Sequence, residues 1–303
     1  MDYNINFPNL GISLDHVGKS FNIGGFQINY YGVVIALGII IAYFVVMALC
    51  RENKENMDHY TDLFLFGIIC GIIGARLYYV IFELDYYLAH PADIFNIRQG
   101  GLAVYGGIIA GVLFGAVYCK VKKLNLLEKL DLAVVAILIG QIVGRWGNFF
   151  NREAFGEYTN GLFAMQLPVS AVRQNEITPL MWENLVNING IDYIQVHPTF
   201  LYESMWNLCL LLLLIIFRKM MTFKGETFLF YVIGYGAGRF WIEALRTDQL
   251  KILGTIPVSQ LLSALLFIGG LTAFILMRFV FREKTFAALG KNRAASASDS
   301  AEA

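Results

Sequence analysis

Seven stretches of this chain are apolar over lengths close to the roughly 20 residues that carry a helix across a bilayer, and they leave few other ways to fold. They lie near residues 28–50, 61–82, 101–119, 130–150, 199–217, 227–245 and 255–279. In hydrocarbon a backbone must satisfy its own N–H and C=O groups, so runs of this length predict helices. Composition agrees, with mean hydropathy +0.58, 57% hydrophobic residues and only 15% charged ones. The expected fold class is an all-α polytopic membrane protein of about seven transmembrane helices with a small extracytoplasmic cap. The 24 Phe and 16 Tyr suit apolar spans with aromatic belts at the two interfaces.

The polar remainder divides the chain. Residues 1–27 are mixed and Gly-rich, an N-terminal extracytoplasmic segment, and residues 28–150 hold the first four spans. Residues 151–197, with Pro168 and Pro179, form the longest break and are the expected cap. Residues 198–281 carry the last three spans, and 282–303, rich in Ala and Ser, read as a disordered cytoplasmic tail. Met1-Asp2-Tyr3 offers no basic n-region, so no cleaved signal peptide is expected. Equal numbers of basic and acidic residues, 23 of each, give no footing for a nucleic-acid partner. Cys50, Cys70, Cys119 and Cys209 each lie in or beside an apolar run without ligand spacing, and read as buried, reduced side chains.

Chemistry-bearing residues concentrate at the end of the fourth span, in GRWGNFFNREAFG (144–156). On helical spacing Arg145, Asn148 and Arg152 share a face, and Gly144 and Gly147 thin the surface beside them. A charge at membrane depth is usually turned toward a bundle interior or a polar cavity. The second span holds Arg76, and the third opens with paired glycines, Gly100-Gly101 and Gly106-Gly107, on either side of Tyr105. Those glycines suit either lipid entry around the phenol or close helix packing. In the sixth span Arg239, Glu243 and Arg246 form one charged stripe. Arg239 with Glu243 reads as an ion pair, which leaves Arg246 with surplus positive charge for an anionic ligand. His197 precedes Pro198 at the start of the fifth span, a place more often structural than ligating. HExxH, Walker, GxSxG and paired-carboxylate metal motifs are absent, so arginines, amides and a phenol must carry the chemistry. Such a set fits a phosphate-bearing substrate.

The 144–156 segment closely resembles the signature of the prolipoprotein diacylglyceryl transferase family, G-R-x-G-N-F-x-N-x-E-x-x-G. Tyr30-Tyr31-Gly32, the Gly100–Gly107 segment, His197-Pro198 with Leu201-Tyr202-Glu203, and Arg246 look like the family's other motifs in the same order. The resemblance implies transfer of an sn-1,2-diacylglyceryl group from phosphatidylglycerol to the lipobox cysteine of a prolipoprotein signal peptide, with membrane lipids as surroundings and no metal or other cofactor. It implies catalytic places for Tyr105 and Arg246. It implies substrate-binding places for Arg145, Asn148, Glu153, Gly156, Tyr31 and His197, to which the charged stripe adds Arg239 as a candidate. Several family members carry a histidine, proposed as a base, where this chain has Tyr105; a phenol of pKa about 10 is a poor base at neutral pH. The alternative from another class is a secondary transporter or channel for an anionic solute, with the arginines as its selectivity element.

Orientation follows from the basic residues of the connections. Fourteen Lys and Arg fall in one alternating set, among them Lys120, Lys122, Lys123, Arg218, Lys219 and Arg282, and six in the other, Lys19, Arg98, Arg152, Arg173, Arg246 and Lys251. The richer set belongs in the cytoplasm, which puts the N-terminus outside and the C-terminus inside; the resemblance implies that the membrane is the bacterial inner membrane, crossed several times. A reporter fused after Phe281 should behave as cytoplasmic and one inserted near Asn187 as external; the opposite pair of results overturns the orientation.

Overall fold

A computed structural model describes residues 3–97, 100–252 and 255–280. The chain forms two compact units, one comprising residues up to Ala42 and again from Val134, the other Tyr43–Ala133. The elements run β1 (Tyr3–Phe7), β2 (Ile12–Val17), β3 (Ser20–Ile23), β4 (Phe26–Asn29), α1 (Tyr30–Glu52), α2 (Met57–Phe82), α3 (Leu84–Ala89), α4 (Val104–Val121) and α5 (Leu126–Asn151). They continue with β5 (Met165–Pro168), α6 (Pro179–Glu183), β6 (Val186–Ile188), β7 (Ile191–Val196), α7 (Thr199–Phe217), α8 (Glu226–Leu245), β8 (Lys251–Ile252), β9 (Ile256–Pro257) and α9 (Val258–Ile275). A π-helical turn, Leu276–Val280, ends the described chain. Among the described residues, five helices are long and apolar enough to cross a membrane: α1, α2, α4, α7 with its following turn, and α9 with its π turn. The other two long helices, α5 and α8, carry Arg145, Arg239 and Glu243 within their apolar sequence.

All-α was too narrow. In the first unit the polar segments build an antiparallel sheet in the order β2-β1-β5-β7-β6, which joins the N-terminal residues to the 151–197 region. The pairing Asn6↔Gln166 makes that junction. A strand edge presents unpaired N–H and C=O groups, and β1 satisfies those of β5. Two-residue turns drive the hairpins: Asn189-Gly190 between β6 and β7, and Gly24-Gly25 between β3 and β4, have positive φ at both positions. That backbone matches the right-handed strand twist. Ile5, Met165, Leu167, Ile194 and Val196 from the sheet share one core with Phe149 at the end of α5 and Phe200 at the start of α7. The sheet is therefore anchored to two helix ends in the same unit.

Helix packing in this unit follows small residues. A Cβ at Gly147 would collide with the Tyr31 ring, and one at Gly144 would touch Ile35, which seats α1 on α5. On α7 the buried side chains Phe200, Glu203, Ser204, Asn207, Leu210 and Leu214 recur at three and four residues, one helical face. Ser204 donates to the Ile142 carbonyl at 3.1 Å, and Trp206 Nε1 to the Gly234 carbonyl at 2.8 Å. Cβ atoms at Gly234 and Gly238 would strike Leu210 and the Trp206 indole.

In the second unit α2 packs on α4 through Gly74 and Gly106, each against the other's backbone carbonyl. This is the packing reading of the paired glycines, and α4 begins at Val104 rather than at the expected 101. Gly100 and Gly101 have left-handed φ of 94° and 75°. They turn their carbonyls onto Arg76, whose guanidinium also donates to Asp93, Ile94 and Asn96 carbonyls. The arginine expected inside the second span is thus a clasp for the α2–α4 connection. Of the cysteines, Cys50 and Cys119 are buried, Cys70 is half-buried and Cys209 exposed, because an apolar helix turns one face outward. The 282–303 tail lies outside the described residues.

Gly106→Leu should wedge α2 from α4 and destabilise the protein by about 1–3 kcal/mol, as overpacking does. Gly111→Ala, whose Cβ meets open space, should be neutral or stabilising by up to about 1 kcal/mol. Thermal unfolding in detergent compares them, and equal melting temperatures would contradict the packing.

Candidate active site

The signature segment folds as the last two turns of α5 and the loop that leaves it. The helix closes at Asn151, and Arg152 and Ala154 adopt left-handed φ of 56° and 58°. Arg152 therefore leaves the helical face on which spacing had placed it beside Arg145 and Asn148. It is buried, and its guanidinium donates to the Val17 and Phe150 carbonyls. Non-glycine residues held in this region are strained and gather at functional sites.

No acidic residue lies within a helical turn of Arg145 in the sequence. Instead its Nη2 lies 2.7 Å from Glu203 Oε1. The other oxygen of Glu203 accepts from Arg239 Nη1 at 2.8 Å, and Arg239 Nη2 pairs with Glu243 one helical turn on. Two arginines and two glutamates from α5, α7 and α8 thus form one neutral cluster, with Glu203 only 2% exposed. Helical spacing brings Arg239 and Glu243 together, but only tertiary packing brings Glu203. The Arg145 side chain retains 21% of its surface exposed against 13% for Arg239, so Arg145 is the more open guanidinium.

Toward the loop, Arg145 Nη1 faces Asn148 Oδ1 at 3.5 Å. Asn148 and Asn151 both donate to Glu153 Oε1, at 3.0 and 3.2 Å. Asn148, expected to bind substrate, thus joins Asn151 in orienting a carboxylate, which fixes which way each amide points. Tyr31 lies on Gly147, as the α1–α5 packing requires. Beneath, Gln141 donates to Tyr231, whose ring stacks on Tyr235 at 5.6 Å. Tyr235 stands beside Arg145, Arg239 and Glu203. Tyr231, Tyr235, Arg239 and Glu243 recur every four residues, a stripe legible in the sequence but read there only from Arg239 onward.

Arg246 is not surplus charge. The helix ends at Leu245, and Arg246 Nε and Nη2 grip Asp248 Oδ1 and Oδ2 at 2.8 and 2.6 Å. Burial alone would raise the Asp248 carboxyl, but the hydrogen bonds and charge of Arg246 hold it below its ordinary value. Gly156 sets this end of α8: its N–H donates to the His197 carbonyl at 2.9 Å, and it bridges to Arg246. A Cβ there would lie 2.8 Å from both the Leu245 carbonyl and His197 Cβ. The glycine is a junction between the loop after α5, the start of α7 and the end of α8. His197 Nδ1 meets the Tyr202 hydroxyl at 3.2 Å, and burial lowers the imidazole below its ordinary value against the pull of Glu157. Tyr105 belongs to the second unit, on the first turn of α4 and 44% exposed. Among the described residues, no group of three or more His, Cys, Asp or Glu side chains is placed to hold a metal ion.

A family profile described as prolipoprotein diacylglyceryl transferase matches residues 19–276. A phosphatidylglycerol–prolipoprotein diacylglyceryl transferase of Clostridium botulinum is 41% identical over 267 residues, 88% of this chain and 98% of the relative. One of the same name from Staphylococcus aureus is 36% identical over 282 residues, 93% of this chain and 96% of its own. Matches of this length, running through the helices and loops that build the ionic cluster, leave no large part of the fold unaccounted for. The chain belongs to the prolipoprotein diacylglyceryl transferase family.

Proposed function

We propose that this chain transfers the sn-1,2-diacylglyceryl group of phosphatidylglycerol to the lipobox cysteine thiol of a prolipoprotein, the first step of bacterial lipoprotein maturation. The observation that carries the reading is Arg145, a guanidinium still partly open although anchored on a buried carboxylate at the end of an apolar helix, in a chain whose relatives bear that activity in their names. The transporter alternative is not favoured by those names.

The chemistry is a displacement. The cysteine sulfur attacks the glyceryl carbon that bears the phosphate, the C–O bond breaks with its electrons passing to the phosphate, and a thioether and glycerol phosphate result. The thiol, with pKa about 8.5, needs only partial ionisation to react, and its proton ends in the solvent or on the released phosphate. Negative charge gathers on the leaving phosphate. Arg145 meets it with donors held fixed by Glu203, so little reorganisation is left for the reaction itself. Arg246 is the second phosphate-facing group, released from Asp248 when lipid arrives. Asn148, Glu153 and Gly156 position these two, and Tyr31, Arg239 and His197 line the lipid site. Tyr105 donates to the phosphate.

The protein is set in the bacterial inner membrane by seven spans, with the sheet and the N-terminus outside. The lengths of α5 and α8, 26 and 20 residues, support this count; at 1.5 Å per residue they reach about 39 and 30 Å, enough for a hydrocarbon core of about 30 Å.

Lipid transfer from phosphatidylglycerol to a lipobox peptide by purified protein tests the reading. Arg145→Ala should lower turnover by about 10²- to 10³-fold or more, the usual loss on removing a charge-stabilising donor. The protein should stay folded because Glu203 keeps Arg239. Arg145→Lys should recover little, since an ammonium lacks the two-pronged contact. Substantial turnover of Arg145→Ala at saturating lipid would remove the assigned role.

Tyr105→Phe, which deletes one hydroxyl, should slow transfer about 10- to 100-fold, the worth of one hydrogen bond to a charged group. Tyr105→His should stay active, with a pH optimum displaced toward about 6.5. A pH–rate profile decides: a Tyr105→Phe enzyme dead at every pH that still binds lipid would make Tyr105 the proton acceptor.

A further inference from the structure

We propose that a polar cavity of about 420 Å3 beside Glu153 is a second anion site, shaped for a small polyol phosphate monoester, the class of product set free when the glyceryl C–O bond breaks. The choice of ligand rests on the transfer reaction proposed above. The size falls within the range of small-molecule sites, about 300–1,000 Å3.

The cavity walls bring together Lys19, Arg152 and Arg173, with Glu153 as the carboxylate among them, and Asn151 and Ser170 add uncharged polar groups. Glu176, paired with Arg173 at the rim, makes a second carboxylate, so three cations face two carboxylates and the balance stays positive by one. Arg152 is buried and fixed by the Val17 and Phe150 carbonyls. Lys19 Nζ lies 3.4 Å from the Ala171 carbonyl. Arg173 is the mouth: its side chain is 67% exposed, 3.0 Å from Glu176 and 3.6 Å from Glu153. Burial lowers the Lys19 ammonium below its ordinary value, and the charges of Arg152 and Arg173 add to this against the pull of Glu153. An incoming anion would relieve that repulsion.

Charge selects the ligand. A phosphodiester lipid carries one negative charge, whereas a phosphate monoester with second pKa near 6 carries about 1.5 to 2 at pH 7. A pocket with surplus cations favours the latter, and Asn151 and Ser170 suit polyol hydroxyls. Glu153 also ties the cavity to the cluster below, because the Asn148 that faces Arg145 donates to it. The two phosphate positions share one carboxylate, and product would pass from Arg145 to the open cavity.

Isothermal titration of the full-length protein in detergent tests this, with sn-glycerol 1-phosphate as one probe and dihexanoyl phosphatidylglycerol as the other. Lys19→Met and Arg173→Met should each weaken monoester binding about 10-fold, as expected for one charge-assisted contact, and Lys19→Arg should restore it. Arg145→Ala should spare the monoester and weaken the short-chain lipid. Absence of saturable monoester binding to the wild type overturns the site. So does monoester binding that is lost in Arg145→Ala and indifferent to Lys19→Met, which would put both phosphates in one place. Lipid binding that depends on Lys19 would make the cavity a lipid site and overturn the product assignment. Monoester binding with the expected sensitivities, in a protein that transfers no lipid, would sustain the anion site and refute the reaction it was assigned to.

Discussion

Glu203 is the constraint on which the helical part of the first unit depends. One buried carboxylate takes Arg145 on one oxygen and Arg239 on the other, so α5, α7 and α8 meet at a single side chain. An unpaired arginine buried among apolar helices is costly. Two of them become tolerable because Glu203 and Glu243 make the cluster neutral. Such a cluster is weak evidence for net stability, since burying ions has its own desolvation cost. Its value lies in geometry: Arg145 is held where its remaining surface stays open, and the Tyr231–Tyr235 stack and Gln141 support the cluster from below.

The arginines of this chain share a residue type and little else. Arg76 is satisfied by five backbone carbonyls and organises a connection. Arg152 is locked by carbonyls in the loop after α5. Arg246 holds an aspartate in the two-pronged geometry that a phosphate would also take. Asp248 thus keeps that cation ordered.

The loop between α5 and the sheet does the remaining positioning. Gly156 admits the Leu245 carbonyl and His197 so closely that the start of α7 and the end of α8 are stitched to the same backbone. Left-handed Arg152 and Ala154 let the chain turn sharply enough to reach that junction. Sheet and helix ends share the core around Phe149, Phe155 and Phe200, so the loop that brings Gly156 to Arg246 is backed by strands.

The long helices were legible because hydropathy and turn-scale periodicity are local: the segments expected at 199–217 and 227–245 match α7 and α8 within a residue. The 144–156 signature and the Arg239–Glu243 pair were legible for the same reason. The sheet was missed although Asn189-Gly190 and Gly24-Gly25 were hairpin signals in plain view. Short polar strands carry little hydropathic pattern, and β1 finds its partner 160 residues away. The sequence alone determined where helices form, where charge enters them and which family motif they carry. Only the tertiary structure decided the partner of each charge: Glu203 for Arg145, Asp248 for Arg246, carbonyls for Arg76. An ion's partner depends on which helix faces or loop ends are adjacent, and that is set by close approach at glycines and by a shared core, not by anything within a few residues of the ion.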